Sequence, residues 1–128
     1  MPKYFHPDVL DSGLNNIKTN ADNLHLIKNY AAADSYATVI GNSVASAATV
    51  SGDYVLGNQG VNGRQLATPA KAPSASASSI GGDDLHIAYV DSVGLKVLAV
   101  TDETSDQVIT SGNAVNIPTL NLKMNQPV

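Results

Sequence analysis

The sequence predicts a mainly β, single-domain protein: an antiparallel β-sandwich or jelly-roll-like barrel with one short N-terminal helix. Three observations carry that expectation. After residue 23 apolar residues recur in short runs, Gly, Asn and Pro clusters separate the runs, and one segment near the front has a helical period. The 128 residues suit one core, since a second would need about another hundred. Hydrophobic residues make up 43% but aromatics 5%, so the core must be built from Val, Ile, Leu and Ala, which favours thin layers over a deep ligand pocket.

An arm over residues 1–7 precedes a helix over 8–20. Leu10, Leu14, Ile17 and Ala21 fall at i, i+4, i+7 and i+11, Pro7-Asp8 supplies a start and Asn20 a stop. Gly13 and Asn15-Asn16 weaken intrinsic helicity, so packing must hold this helix.

A β domain is expected over 24–123. Leu24 and Leu26 alternate with His25 and Lys28, predicting a strand over 24–29. Residues 31–36 read as a connection, and Ala37-Thr38-Val39-Ile40 runs to a turn at Gly41-Asn42. Residues 44–50 could extend or coil. Asp53-Tyr54-Val55-Leu56 predicts a strand ending at Gly57-Asn58-Gln59-Gly60, within a loop over 57–63 whose glycines and asparagines tolerate positive φ. Arg64 to Ala67 reads as a strand. Pro69 and Pro73 then forbid a continuous ladder in the Ser/Ala/Pro-rich segment 68–80, which fits a linker or a strand with a small-residue face.

Leu85 to Val90, a turn at Asp91-Ser92 and Val93 to Val100 predict the core hairpin. Gln107 to Thr110, a turn at Ser111-Gly112-Asn113 and Ala114 to Ile117 predict a second hairpin ended by Pro118, and Leu120 and Leu122 mark a final edge strand. Asn23-Leu24-His25-Leu26 echoes Asp84-Leu85-His86-Ile87, either as neighbouring strands or as two uses of a common pattern; no repeat period of a solenoid occurs.

The net charge is −4, and the seven basic residues stand singly, so no basic stripe exists to neutralise phosphates and no nucleic-acid partner is expected. No apolar run approaches the ~18 residues of a membrane span, so no membrane partner is expected. The absence of Cys excludes disulfides, thiolate metal sites and a Cys nucleophile. The opening Met1-Pro2-Lys3-Tyr4 lacks a signal-peptide pattern, so synthesis in a cytoplasm is expected. His6, His25 and His86 lack HExxH spacing, and His25 and His86 point away from their leucine-like neighbours, so no metal is expected. Asp83-Asp84 and Asp102-Glu103, with Asp106 nearby, read as solvated turns, because adjacent strand residues project to opposite faces. Ser46 and Ser111 lack a GxSxG elbow, and the glycine loop lacks the GK[ST] of a phosphate cradle. The expectation is a non-enzyme without catalytic, cofactor or metal residues, whose weakly charged surface suits packing against other proteins or further copies of itself.

Several strings carry a resemblance: Leu10-Asp11-Ser12-Gly13-Leu14-Asn15-Asn16-Ile17, Leu24-His25-Leu26, Gly63-Arg64-Gln65-Leu66, His86 to Asp91, Leu98-Ala99-Val100-Thr101 and, above all, Gln107 to Pro118. In this order the chain resembles small virion structural proteins of tailed bacteriophages. The resemblance implies a virion protein made in the host cytoplasm: a capsid decoration (cement) protein bound to the major capsid protein, as a homo-oligomer, or else a neck, tail or fibre-attachment protein. No residue role carries over from it. A carbohydrate-binding, adhesin-like module would want exposed aromatic platforms, which five Tyr, one Phe and no Trp supply poorly. A cement interface should be apolar in the middle and polar at the rim, which points to Pro2, Tyr4, Phe5 and Pro7 of the arm, with Tyr54, Gly57, Asn58, Gln59 and Gly60. Phe5 equally fits a cap on the domain's own core.

Overall fold

The computed structural model describes residues 4, 6–61, 63–103 and 107–125. The elements are α1 (Pro7–Asn20), β1 (Asn23–Lys28), α2 (Tyr36–Gly41), β2 (Ser43–Ala48), a 3-10 turn (Ser51–Asp53), β3 (Val55–Gln59), β4 (Gly63–Ala67), β5 (Leu85–Asp91), β6 (Lys96–Asp102) and β7 (Asn121–Asn125). They form two antiparallel sheets, one ordered β2-β1-β5-β6 and one ordered β3-β4-β7. The mainly β expectation holds, with α1 as the one long helix.

The α1 stripe packs as its spacing requires. Leu10 and Leu14 are buried, Ile17 half-buried, and Ala21 buried at the C-cap. His6 caps the front, its Nδ1 accepting from the Asp8 N–H at 3.2 Å. At the other end Lys18 Nζ donates to the carbonyls of Ser51 at 2.6 Å and Tyr54 at 2.7 Å, which ties the helix to the chain entering β3.

Strands β1 and β5 are apolar on both faces, which explains why 85–90 reads as a nearly unbroken apolar run. Leu24, Leu26, Leu85, Ile87 and Tyr89 join Leu14, Tyr54 and Leu66 in the main core between the sheets and α1. Ile27, Ala88 and Val90 face the other way and pack under Val39 of α2. The two echoing segments are indeed neighbours, but offset: Leu24 pairs with Tyr89 and Ile27 with His86, so His25 and His86 share the α2 side of the sheet.

Local rules and tertiary packing disagree in four places. Residues 36–41 form α2 rather than a connection and a run into a turn. Thr38, Val39 and Ile40 are poor helix formers, but Ser35 Oγ accepts from the Thr38 N–H at 3.2 Å and Val39 is 1% exposed, so capping and burial override propensity. Gly57, Asn58 and Gln59 are strand, paired with Gln65, Arg64 and Gly63, which shortens the expected 57–63 loop to a tight turn. Strand β6 begins at Lys96, not Val93, because the Asp91 carboxylate accepts from the N–H groups of Val93 (3.1 Å) and Gly94 (3.0 Å) and holds a longer turn.

The fourth difference is the largest. The expected hairpin over 107–117 is absent among the described residues; this stretch pairs instead with 71–79. Lys71 and Ile117 exchange backbone bonds at 3.0 and 2.7 Å, Val115 donates to Pro73 at 2.8 Å, and Ala75 donates to Asn113 at 2.8 Å. Pro73 accepts but has no N–H to return, so the ladder never becomes continuous. The Ser/Ala stretch is therefore neither a linker nor a regular strand. Buried hydroxyls pin it: Ser79 Oγ accepts from the Ile109 N–H at 2.8 Å, and Thr68 Oγ1 accepts from the Leu120 N–H at 2.9 Å.

His25 makes folding sensitive to pH. Its Nδ1 lies 2.8 Å from Ser43 Oγ, and burial pushes its pKa below 6.5 despite the opposing pull of Asp22. The unfolded chain therefore takes up this proton first, and folding loses stability as pH falls below 6.5 toward the depressed folded value. Melting temperatures between about pH 7.5 and about pH 5 should fall more steeply for the wild type than for His25→Gln, and parallel curves would refute this.

Candidate functional site

The tip of the β3–β4 hairpin gathers several of the expected interface residues. Gln59 and Gly63 close the hairpin, and Gly60 takes φ +58°, where a Cβ is unfavourable. Gly63 is required for a different reason: a Cβ there would lie 2.8 Å from the Met124 carbonyl oxygen of β7. Arg64 locks the hairpin to α1. Its Nε and Nη2 reach Asp11 Oδ1 and Oδ2 at 2.7 and 3.2 Å, and its Nη1 reaches Asn58 Oδ1 at 2.5 Å. The bond to Asp11 raises the Arg64 pKa further.

Around this lock lies an open concavity of about 350 Å³, lined by Tyr4, Leu10, Asn58, Gly60, Val61, Gly63 and Arg64. Tyr4 is 68% exposed and Val61 is 96% exposed. A residue as apolar as Val61 standing almost fully exposed in a turn is unusual for a solvated loop. With its guanidinium committed to Asp11 and Asn58, Arg64 shapes the surface and leaves the Tyr4 ring and the Val61 side chain as its apolar part. Such a surface can bury an apolar centre inside a polar rim.

Of the expected interface residues, Tyr4, Asn58 and Gly60 meet here. Gly57 and Gln59 sit in β3, Gln59 next to the tip. Pro2 and Phe5 lie outside the described residues, and Pro7 enters only as the first residue of α1. Tyr54 is a correction. It is 1% exposed, its hydroxyl lies 3.1 Å from Thr49 Oγ1, its ring meets Tyr89 edge-on at 6.4 Å, and burial raises its pKa. It is a core residue of this chain and offers nothing to a partner, because Lys18 and the 3-10 turn draw it inward beneath α1.

A second cluster escaped the sequence reading. Asp84, His86 and Asp102 come together on the α2 side of the first sheet, each offering one ligand atom within 4.8 Å of the others. Adjacent acidic residues do diverge, but Asp84 and His86 are two apart and share a face, and the register sets Asp102 opposite His86. A bulge between Tyr89 and Val90 creates that register: Val90 pairs with Val97 but Tyr89 with Ala99, so Leu98 is extra. The Asp-x-His spacing was visible in the sequence; the bulge was not.

No family model, no curated protein and no solved structure matches this chain. Among the described residues no helix is long and apolar enough to cross a membrane.

Proposed function

We propose that the protein is a bacteriophage virion structural protein, a decoration (cement) protein that binds the assembled head as a homo-oligomer. The reading draws on the resemblance of its strand-and-turn strings, above all Gln107 to Pro118, to small virion proteins. The observation that carries it in the structure is the hairpin-tip surface, where Tyr4 and Val61 stand exposed around a concavity held rigid by the Asp11–Arg64–Asn58 network. A low net charge lets many copies lie side by side with little repulsion. A protein that binds the closed shell and not its loosened form stabilises the shell by RT ln(1 + [L]/Kd) at each site, about 2.7 kcal/mol at a hundredfold excess over Kd. Repeated over a lattice, modest contacts suffice.

The first test is copy number on purified particles, by quantitative mass spectrometry against the major capsid protein. Hundreds of copies support decoration, a dozen or a few dozen would move the protein to the neck or tail, and absence would sink both virion readings. The surface itself is tested by Tyr4→Ala with Val61→Asp. Both side chains are exposed, so the free protein should keep its melting temperature, while affinity for undecorated shells should fall at least about tenfold, as for one interface hot spot. Unchanged binding would remove this surface from the interface.

A further inference from the structure

We propose that Asp84, His86 and Asp102 form a binding site for a divalent transition-metal ion. The three reach one place from two strands, Asp84 just before β5, His86 within it and Asp102 at the end of β6. His86 Nδ1 lies 4.0 Å from Asp84 Oδ1, and His86 Nε2 lies 3.8 Å from Asp102 Oδ1. Both separations are too long for hydrogen bonds. Only one ring nitrogen can bind a given ion, and one ligand atom from each of the three residues lies within 4.8 Å of the other two, a small side-chain adjustment away from the roughly 3–4 Å that an ion about 2.0–2.2 Å from each ligand would set.

Burial adds an independent observation. The His86 side chain is 16% exposed, and its Nδ1 is fully buried with no hydrogen-bond partner. An orphaned buried nitrogen carries a desolvation penalty that a ligand would relieve. The Asp84 and Asp102 side chains are 60% and 64% exposed, so the site is a cup with an imidazole floor and an acidic rim, open to an ion from solvent.

The surroundings hold the cup in place. The Tyr30 ring covers the imidazole with centroids 5.7 Å apart. The backbone N–H of Asn29 donates to the Asp84 carbonyl at 2.8 Å, and Asn29 Oδ1 accepts from the Asp84 N–H at 3.3 Å, which fixes the backbone that presents this carboxylate. Asp83 is already engaged, accepting from Asn29 Nδ2 and the Ile80 N–H, both at 2.9 Å. One imidazole nitrogen with two carboxylates suits Zn²⁺ or Mn²⁺ better than Ca²⁺, which takes six or more oxygens, or Cu(I), which takes soft sulfur. Three protein ligands leave a coordination position for water.

The experiment is calorimetric titration of ZnCl₂ into the chelator-treated full chain. One saturable site is expected in the wild type. Asp102→Asn and His86→Gln should each weaken it at least about tenfold, since even an outer-shell partner is worth that much. Asp83→Asn should leave it unchanged. Asp102→Asn is decisive because that side chain is mostly exposed and the fold does not depend on it. Absence of saturable binding in the wild type, or Asp102→Asn binding as tightly as the wild type, overturns the proposal.

Discussion

Tyr54→Ala is expected to destabilise the protein by about 3–5 kcal/mol, and Tyr54→Phe by about 1 kcal/mol. The alanine variant empties the space the ring fills between α1, Tyr89 and the 3-10 turn, and a core poor in aromatics has few large side chains with which to collapse into it. The phenylalanine variant keeps the ring and loses one hydroxyl. Its partner is not stranded, because Thr49 Oγ1 still donates to the Ala21 carbonyl at 3.0 Å. Against a total of about 5–15 kcal/mol the first loss is large and the second modest. Denaturant midpoints of the free protein check the contrast. Two variants equally stable to unfolding would return Tyr54 to the surface.

Gly63→Ala is expected to cost about 1–3 kcal/mol by overpacking and to loosen β7 specifically. The added Cβ would lie 2.9 Å from Gln59 Oε1 and from Asn125 Oδ1, which can swing aside, and 2.8 Å from the Met124 carbonyl oxygen, which cannot move without parting β7 from β4. Hydrogen exchange of the β7 amides should therefore quicken while that of β1 and β5 holds. Gly57→Ala is the control, since nothing lies within 4 Å of its Cβ position. If both variants unfold at the same denaturant midpoint, the close approach at Gly63 has no energetic weight.

Elements that bury one clear face were legible. The Leu10, Leu14, Ile17 and Ala21 stripe, the Leu24 and Leu26 alternation and the apolar run of β5 each state their own geometry, because burial on one or both faces imposes the period directly. The final strand was legible too: β7 lies at the edge of its sheet, where the Leu122 and Leu66 pair is the apolar contact. What escaped depends on partners distant in sequence. Ala114 to Ile117 looks like one arm of a local hairpin, yet its partners are 71–74, and nothing within the segment names them. Tyr54 is an interface candidate by sequence because an interface wants an apolar centre. The carbonyls that receive Lys18, which draw it inward, belong to a relation over more than thirty residues.

The sites divide in the same way. Tyr4, Asn58 and Gly60 meet because a hairpin tip and a helix start are local objects that Asp11 and Arg64 join. The Asp84, His86 and Asp102 cluster rests on the single extra residue in β6: without it Asp102 would face Leu85 on the core side and Thr101 would stand opposite His86.

The second sheet has a history that its finished form conceals. Its central strand, β4, pairs on one side with adjacent β3 and on the other with β7, where Leu66 meets Leu122. During synthesis, at roughly 5–20 residues per second, β4 leaves the ribosome seconds before the strand that completes it. For that interval one side of β4 offers free N–H and C=O groups to whatever strand is near. On a crowded polysome the nearest suitable β7 can belong to another copy, and the same pairs would then form between chains as a domain-swapped dimer.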